Sequence, residues 1–149
     1  MESNRNGSGR VVYFNGHFVP EQEAKVSIYD SSLMFGDMVF EMTRSFNGKQ
    51  FKLREHLERL YASMKYLHIE IEMSLEQMEE AVYETIKINE PFFEDTDEHR
   101  MMIDVSRGLL SIYEDVVGVH KGPNVIIAAF PLKWTVASMG PLFDTGINA

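Results

Sequence analysis

Two Asn-Gly pairs, Asn15-Gly16 and Asn47-Gly48, each flanked by apolar and aromatic residues, constrain this chain more than any other feature in it. Asn-Gly accepts the positive φ angles that a two-residue hairpin turn requires. Val11-Val12-Tyr13-Phe14 is therefore expected to fold back on His17-Phe18-Val19, which Pro20 ends. Met38 to Phe46 likewise folds back on Lys49-Gln50-Phe51-Lys52-Leu53. Between the hairpins, Lys25 to Asp30 alternates enough to predict another short strand, and Gly36-Asp37 interrupts the chain before Met38. Two hairpins this early imply an antiparallel sheet.

The apolar period then changes from two to about 3.6. Leu53, Leu57, Leu60, Tyr61, Met64 and Leu67 fall on one helical stripe, with Glu55, Glu58, Arg59 and Lys65 facing elsewhere. Ser74-Leu75-Glu76-Gln77 spells a capping box, so a second helix runs from there to about Asn89, closed by Pro91. After the acidic loop Glu94 to Glu98 come two more predicted strands, Arg100 to Arg107 and Asn124 to Phe130. The second has no polar alternation, which suits a central strand covered on both faces. The order ββββ-αα-ββ predicts an α+β fold, a mostly antiparallel sheet with two helices packed on one side. Residues 1–10 read as a disordered polar tail and 11–131 as one domain. Residues 132–149, broken by Gly140, Pro141 and Gly146, read as a linker to a second domain outside the chain.

Composition narrows the function. The 149 residues carry 14 Lys+Arg against 23 Asp+Glu, a net charge of −9, with no basic cluster to track phosphates, so no nucleic-acid partner is expected. Without cysteine there is no thiolate chemistry. No apolar run approaches the roughly 20 residues of a membrane helix, and the polar opening residues have no signal-peptide core, so a cytoplasmic, soluble protein is expected. Asp95-Thr96-Asp97 lacks the glycine and glutamate that complete a calcium loop, the five histidines are scattered, and no metal site is expected. Asn6-Gly7-Ser8 has the glycosylation spelling without a secretory context.

Two stretches carry candidate chemistry. Gly36-Asp37 launches a strand bearing Glu41 and Arg44. Glu55 and Arg59 stand four apart on the first long helix, and the plain reading is an exposed ion pair. Against it, Ala62 and Ser63 on the stripe of Arg59 are small enough to let another group reach the guanidinium, whose planar fork suits a phosphate.

Tyr13-Phe14-Asn15-Gly16, Phe18-Val19-Pro20, Ala24-Lys25-Val26, Gly36-Asp37 with Val39-Phe40-Glu41, Phe46-Asn47-Gly48-Lys49 and Glu55-His56-Leu57 with Arg59-Leu60 occur in one order. Together they resemble the N-terminal domain of class IV pyridoxal-phosphate aminotransferases. The resemblance implies that Arg59 binds the cofactor phosphate, that Phe40 and Glu41 line the substrate side, and that Phe35 stands where some branched-chain enzymes have Tyr. It further implies that Arg44 and Arg100 lie beside the pocket, and that Arg107-Gly108 leads into a specificity loop, Leu109 to Gly118, reaching toward a neighbouring subunit. The family lysine that forms the Schiff base with pyridoxal 5′-phosphate belongs to the second domain, and none of Lys25, Lys49, Lys52, Lys65, Lys87, Lys121 or Lys133 matches it. The implied function is amino transfer between an amino acid, branched-chain or otherwise hydrophobic, and a 2-oxo acid. It would take place in a homodimer, with this chain inactive alone. Aminodeoxychorismate lyase, D-amino-acid or (R)-amine transaminase, and a stand-alone dimerisation or binding domain are the alternatives.

Overall fold

The computed structural model describes residues 8–113, 115 and 120–147. Most of the expected tail, Asn6-Gly7, and residues 114 and 116–118 of the expected specificity loop lie outside the described residues. Among the described residues, six strands form one sheet: β1 (Val11–Phe14), β2 (His17–Pro20), β3 (Met38–Phe46), β4 (Lys49–Gln50), β5 (His99–Ser106) and β6 (Asn124–Pro131). Their order is β2-β1-β6-β5-β3-β4, and every neighbouring pair is antiparallel. The predicted α+β architecture is thus observed. Both turns use Asn with φ near +50°, 49° at Asn15 and 51° at Asn47, as the hairpin chemistry requires.

Among the described residues, α-helices accompany the sheet at α1 (Ser31–Phe35), α2 (Leu53–Leu67), α3 (Leu75–Asn89) and α4 (Leu132–Thr145). The apolar stripes of α2 and α3 cover one sheet face. Leu57, Leu60, Met64, Met78 and Val82 pack there against Val39, Met101, Ile103, Val105 and Ile127. The capping box of α3 forms, with Gln77 N donating to Ser74 Oγ at 3.2 Å and Ser74 N donating to Gln77 Oε1 at 2.8 Å. The opposite face presents Phe40, Met42 and Arg44 of β3, Arg100, Met102 and Asp104 of β5, and Ile126, Ala128 and Phe130 of β6. β6 is central, as its composition predicted. From Val125 onward its helix-side residues are buried, whereas Ile126, Ala128 and Phe130 are half-buried.

Three segments depart from expectation. Lys25 to Asp30 is not a strand, because it has no neighbour to pair with beyond a single bridge from Asp30 to Leu109, and Val26 and Ile28 stand exposed. Asp30 instead caps α1, accepting from Ser32 N at 2.8 Å, and Gly36 at φ 69° ends that helix. The return strand β4 stops at Gln50, since α2 starts at Leu53. Residues 132–145, expected as an irregular linker, form α4 with Pro141 in its interior. Its first turn docks: Trp134 stacks on Phe130 with ring centroids 6.3 Å apart, under the Arg10 guanidinium at 4.7 Å. Among the described residues, no helix is long and apolar enough to cross a membrane.

Buried polar groups tie the sheet ends together. Asp30 Oδ2 accepts from Ser106 Oγ at 2.9 Å and from Asn124 Nδ2 at 2.6 Å, joining α1 to β5 and β6. Glu98 accepts from Ser45 Oγ and from the backbone N–H groups of Asn47 and Gly48, which fixes the second hairpin. The Ser45 hydroxyl foremost, with those amides, holds the Glu98 carboxyl below the usual carboxylate range.

Candidate active site

Residue alternation along β3 points Glu41 to the helix side, where its side chain is 7% exposed against α2. A carboxylate this buried needs a cation. Arg59 supplies it from α2, with Nε at 2.5 Å from Oε1 and Nη2 at 2.7 Å from Oε2. His56 Nδ1, three residues earlier on α2, lies 2.7 Å from the same Oε2. The Arg59 hydrogen bond foremost, with help from His56 and against the effect of burial, lowers the Glu41 pKa; Glu41 in turn raises that of Arg59. Both are therefore charged at neutral pH.

The Arg59 side chain is 67% exposed, so Glu41 orients it without enclosing it. The carboxylate occupies the side edge of the guanidinium, Nε and Nη2. Among the described residues Nη1 has no partner, whereas Nη2, at the other corner of the end-on edge, also lies 3.4 Å from His56 Nδ1. Arg59 lines an open groove of about 470 Å³ with Val39, Ala62, Ser63, Tyr66 and Leu67. The ion pair with Glu55 that spacing alone suggested does not form; Glu55 lies 3.6 Å from Lys52 instead. An oriented, exposed guanidinium beside small side chains can hold an anion by two parallel hydrogen bonds.

The other sequence candidates divide between places. Phe40, next in the chain to Glu41, stands on the opposite, open sheet face and is 63% exposed. Arg44 and Arg100 are register partners on that same face. Arg44 lies over the Phe46 ring at 4.0 Å, and Arg100 Nη1 donates to Thr135 Oγ1 of α4 at 2.7 Å. Phe35 ends α1 and is exposed. Arg107 is turned elsewhere: it pairs with Asp37 at 2.5 Å and donates to the carbonyls of Leu67 and His68 at 2.7 and 2.8 Å, closing the C-terminus of α2. Phe40, Arg44 and Arg100 thus share a surface, Glu41 and Arg59 form a second cluster, and Arg107 belongs to neither.

Sequence reasoning assigned no role of their own to three residues. His56, seen there only within the Glu55-His56-Leu57 motif, and Ser63, noted only for its small size, flank Arg59 on α2, and helical spacing from Arg59 was the available signal. Asp104 pairs in register with Phe40 and Ile126 on the open face and makes no hydrogen bond or ion pair among the described residues. Burial pushes its carboxyl up to about 6. It is the lone acid among Met101-Met102-Ile103-Asp104-Val105, a signal that became readable only with the face known. No group of three or more metal-ligating side chains occurs among the described residues.

A family model described as amino-transferase class IV matches residues 38–147. A putative branched-chain-amino-acid aminotransferase of Methanocaldococcus jannaschii is 47% identical over 78 residues, covering 52% of this chain and 27% of that protein. A D-alanine aminotransferase of Staphylococcus haemolyticus is 36% identical over 78 residues, covering 52% and 28%. The crystal structure of the branched-chain aminotransferase from the thermophilic archaeon Thermoproteus uzoniensis with norvaline superposes with a TM-score of 0.67 at 33% identity, covering 82% of this chain and 40% of that one. The chain spans well under half the length of these relatives. Since the matched stretch runs from the strand carrying Glu41 through the helix carrying Arg59 and on into α4, the chain belongs to the class IV aminotransferases.

Proposed function

We propose that this chain is the N-terminal domain of a pyridoxal-phosphate-dependent aminotransferase and that Arg59 is its grip on the cofactor phosphate. The observation that carries this reading is the Glu41–Arg59 pair: two hydrogen bonds of 2.5 and 2.7 Å on the side edge leave Nη1 without a partner among the described residues, beside an open groove. That arrangement fits one edge of a phosphate. When bound, pyridoxal 5′-phosphate supplies the electron sink through which an amino group passes between an amino acid and a 2-oxo acid.

The residues of this chain position and select. Glu41 fixes the direction of the guanidinium. β4 pairs with β3 only at Ser45 and Phe46, so the edge of β3 from Met38 to Thr43 is unpaired, and a ligand held by Arg59 lies beside it. Around that edge, Phe40 with Met42 offers an apolar wall, and Arg44 with Arg100 offers positive charge to a substrate carboxylate. The wall favours a branched-chain or other hydrophobic amino acid, in line with the name of the Methanocaldococcus jannaschii relative. The 36% identity to a D-alanine aminotransferase supports the second reading, a D-amino-acid enzyme. The proton-transferring lysine comes from a second domain, the working unit is a homodimer, and this chain alone does not turn over.

A fusion of this chain to the C-terminal part of the Methanocaldococcus jannaschii relative tests the reading. With pyridoxal 5′-phosphate and 2-oxoglutarate it is expected to consume L-leucine faster than D-alanine, whereas the 149-residue chain consumes neither. Turnover by the chain alone would sink the account of the lysine, and a preference for D-alanine would select the second reading.

A further inference from the structure

Ser63 stands one helical turn after Arg59 on α2 and lines the same groove. A serine or threonine inside a helix commonly donates its hydroxyl to the carbonyl four residues earlier. Thr85 of α3 does so, bonding Ala81 O at 2.6 Å. Ser63 does not, and among the described residues its hydroxyl has no partner. It is half-buried in the groove wall beside Ala62, whose single methyl group leaves the approach open.

A phosphate monoester has three terminal oxygens, each a strong acceptor. The end-on edge of Arg59 engages two of them, and the third needs a donor from the same side. On this geometry we propose that Ser63 is a second ligand of the cofactor phosphate, its Oγ–H donating to one oxygen while Arg59 Nη1 and Nη2 hold the others. The inference rests on the reading of Arg59 above and adds a residue to it. The groove then recognises a phosphate ester through a charge and a neutral donor one turn apart, and α2 alone sets their spacing.

The test uses the chain as it is, with pyridoxine 5′-phosphate and pyridoxine as probes. Neither has an aldehyde to react with surface lysines, and their affinity ratio isolates the phosphate. Both are titrated by NMR into the wild type, Ser63→Ala, Ser63→Thr and Arg59→Gln. Ser63→Ala is expected to weaken the phosphate ester about tenfold, the usual scale for a hydrogen bond to a charged group, and to leave pyridoxine unchanged. Ser63→Thr, which keeps the hydroxyl, is expected to stay within about threefold of wild type. Alanine suits a helix at least as well as serine and is smaller at this half-buried position, so the fold is expected to stand. Weakening by Arg59→Gln without weakening by Ser63→Ala would overturn the role of Ser63 and leave Arg59 as the anchor. Unchanged binding in both variants, or no preference of the wild type for the phosphorylated probe, would overturn both roles.

Discussion

A carboxylate on this sheet holds its proton more weakly where a cation reaches it and more tightly where none does, and two acids on neighbouring strands show both outcomes. Glu41 faces α2, meets Arg59 and His56, and is held ionised. Asp104 faces the open side between Phe40 and Ile126, meets no partner among the described residues, and has its pKa raised to about 6. The signs are opposite. Glu41 contributes stability that is present above the ordinary carboxylate pKa and is lost as pH falls through its lowered folded value. Asp104 binds its proton more tightly in the folded state, so its contribution is full below the unfolded value of about 3.8 and is lost as pH rises through 6. Asp104→Asn is therefore expected to gain stability relative to wild type between pH 4 and pH 7. After allowance for partial exposure the gain is on the order of 1–2 kcal/mol. Urea unfolding at both pH values measures it, and a difference that does not change with pH would contradict the assignment.

Among the elements, α3 depends most openly on local chemistry. Ser74→Ala removes one half of its capping box and is expected to cost about 1 kcal/mol, read as a lower urea midpoint with unchanged slope. An unchanged midpoint would mean that packing of Met78 and Val82 alone holds the first turn. Such local codes made the hairpins, α2 and α3 readable beforehand, because Asn-Gly turns, a capping box and an apolar stripe act within a few residues. Elements set by distant partners were not readable. α1 is a single turn whose N-cap, Asp30, is also committed to Ser106 and Asn124 far along the chain. α4 was masked by Gly140 and Pro141, while the contacts that dock it run to Arg10, Arg100 and Phe130. The site followed the same rule. Spacing on α2 paired Arg59 with Glu55, but Glu41 on β3 competes better, because a buried carboxylate loses more than an exposed one if left alone. The small Ala62 and Ser63 beside Arg59, and then the family resemblance, pointed past the local pair. It also grouped Phe40 with Glu41, two consecutive strand residues that the pleat sends to opposite faces.

At the scale of the whole molecule, the open face, the outer half of α4 and the residues just after it leave large apolar side chains in water: Phe40 at 63%, Phe143 at 87% and Ile147 at 74% exposure. Exposed apolar surface of this kind is available to another protein surface. The chain is accordingly expected to self-associate at micromolar concentration and to bind an apolar dye. Light scattering reporting a monomer, with no dye signal, would show that the face is tolerated uncovered.

The position of β6 has a further consequence, for the order of events in folding. It is the last strand along the described chain, yet it lies between β1 and β5, so the N-terminal hairpin has no strand to join it to the rest of the sheet until residues 124–131 have been synthesised. Every route to the native sheet must close a loop between the first and last strands, and such long closures slow the search and keep strand edges exposed meanwhile. A nascent chain halted at Pro123 would hold helices and turns already formed locally, around a sheet still missing its central strand.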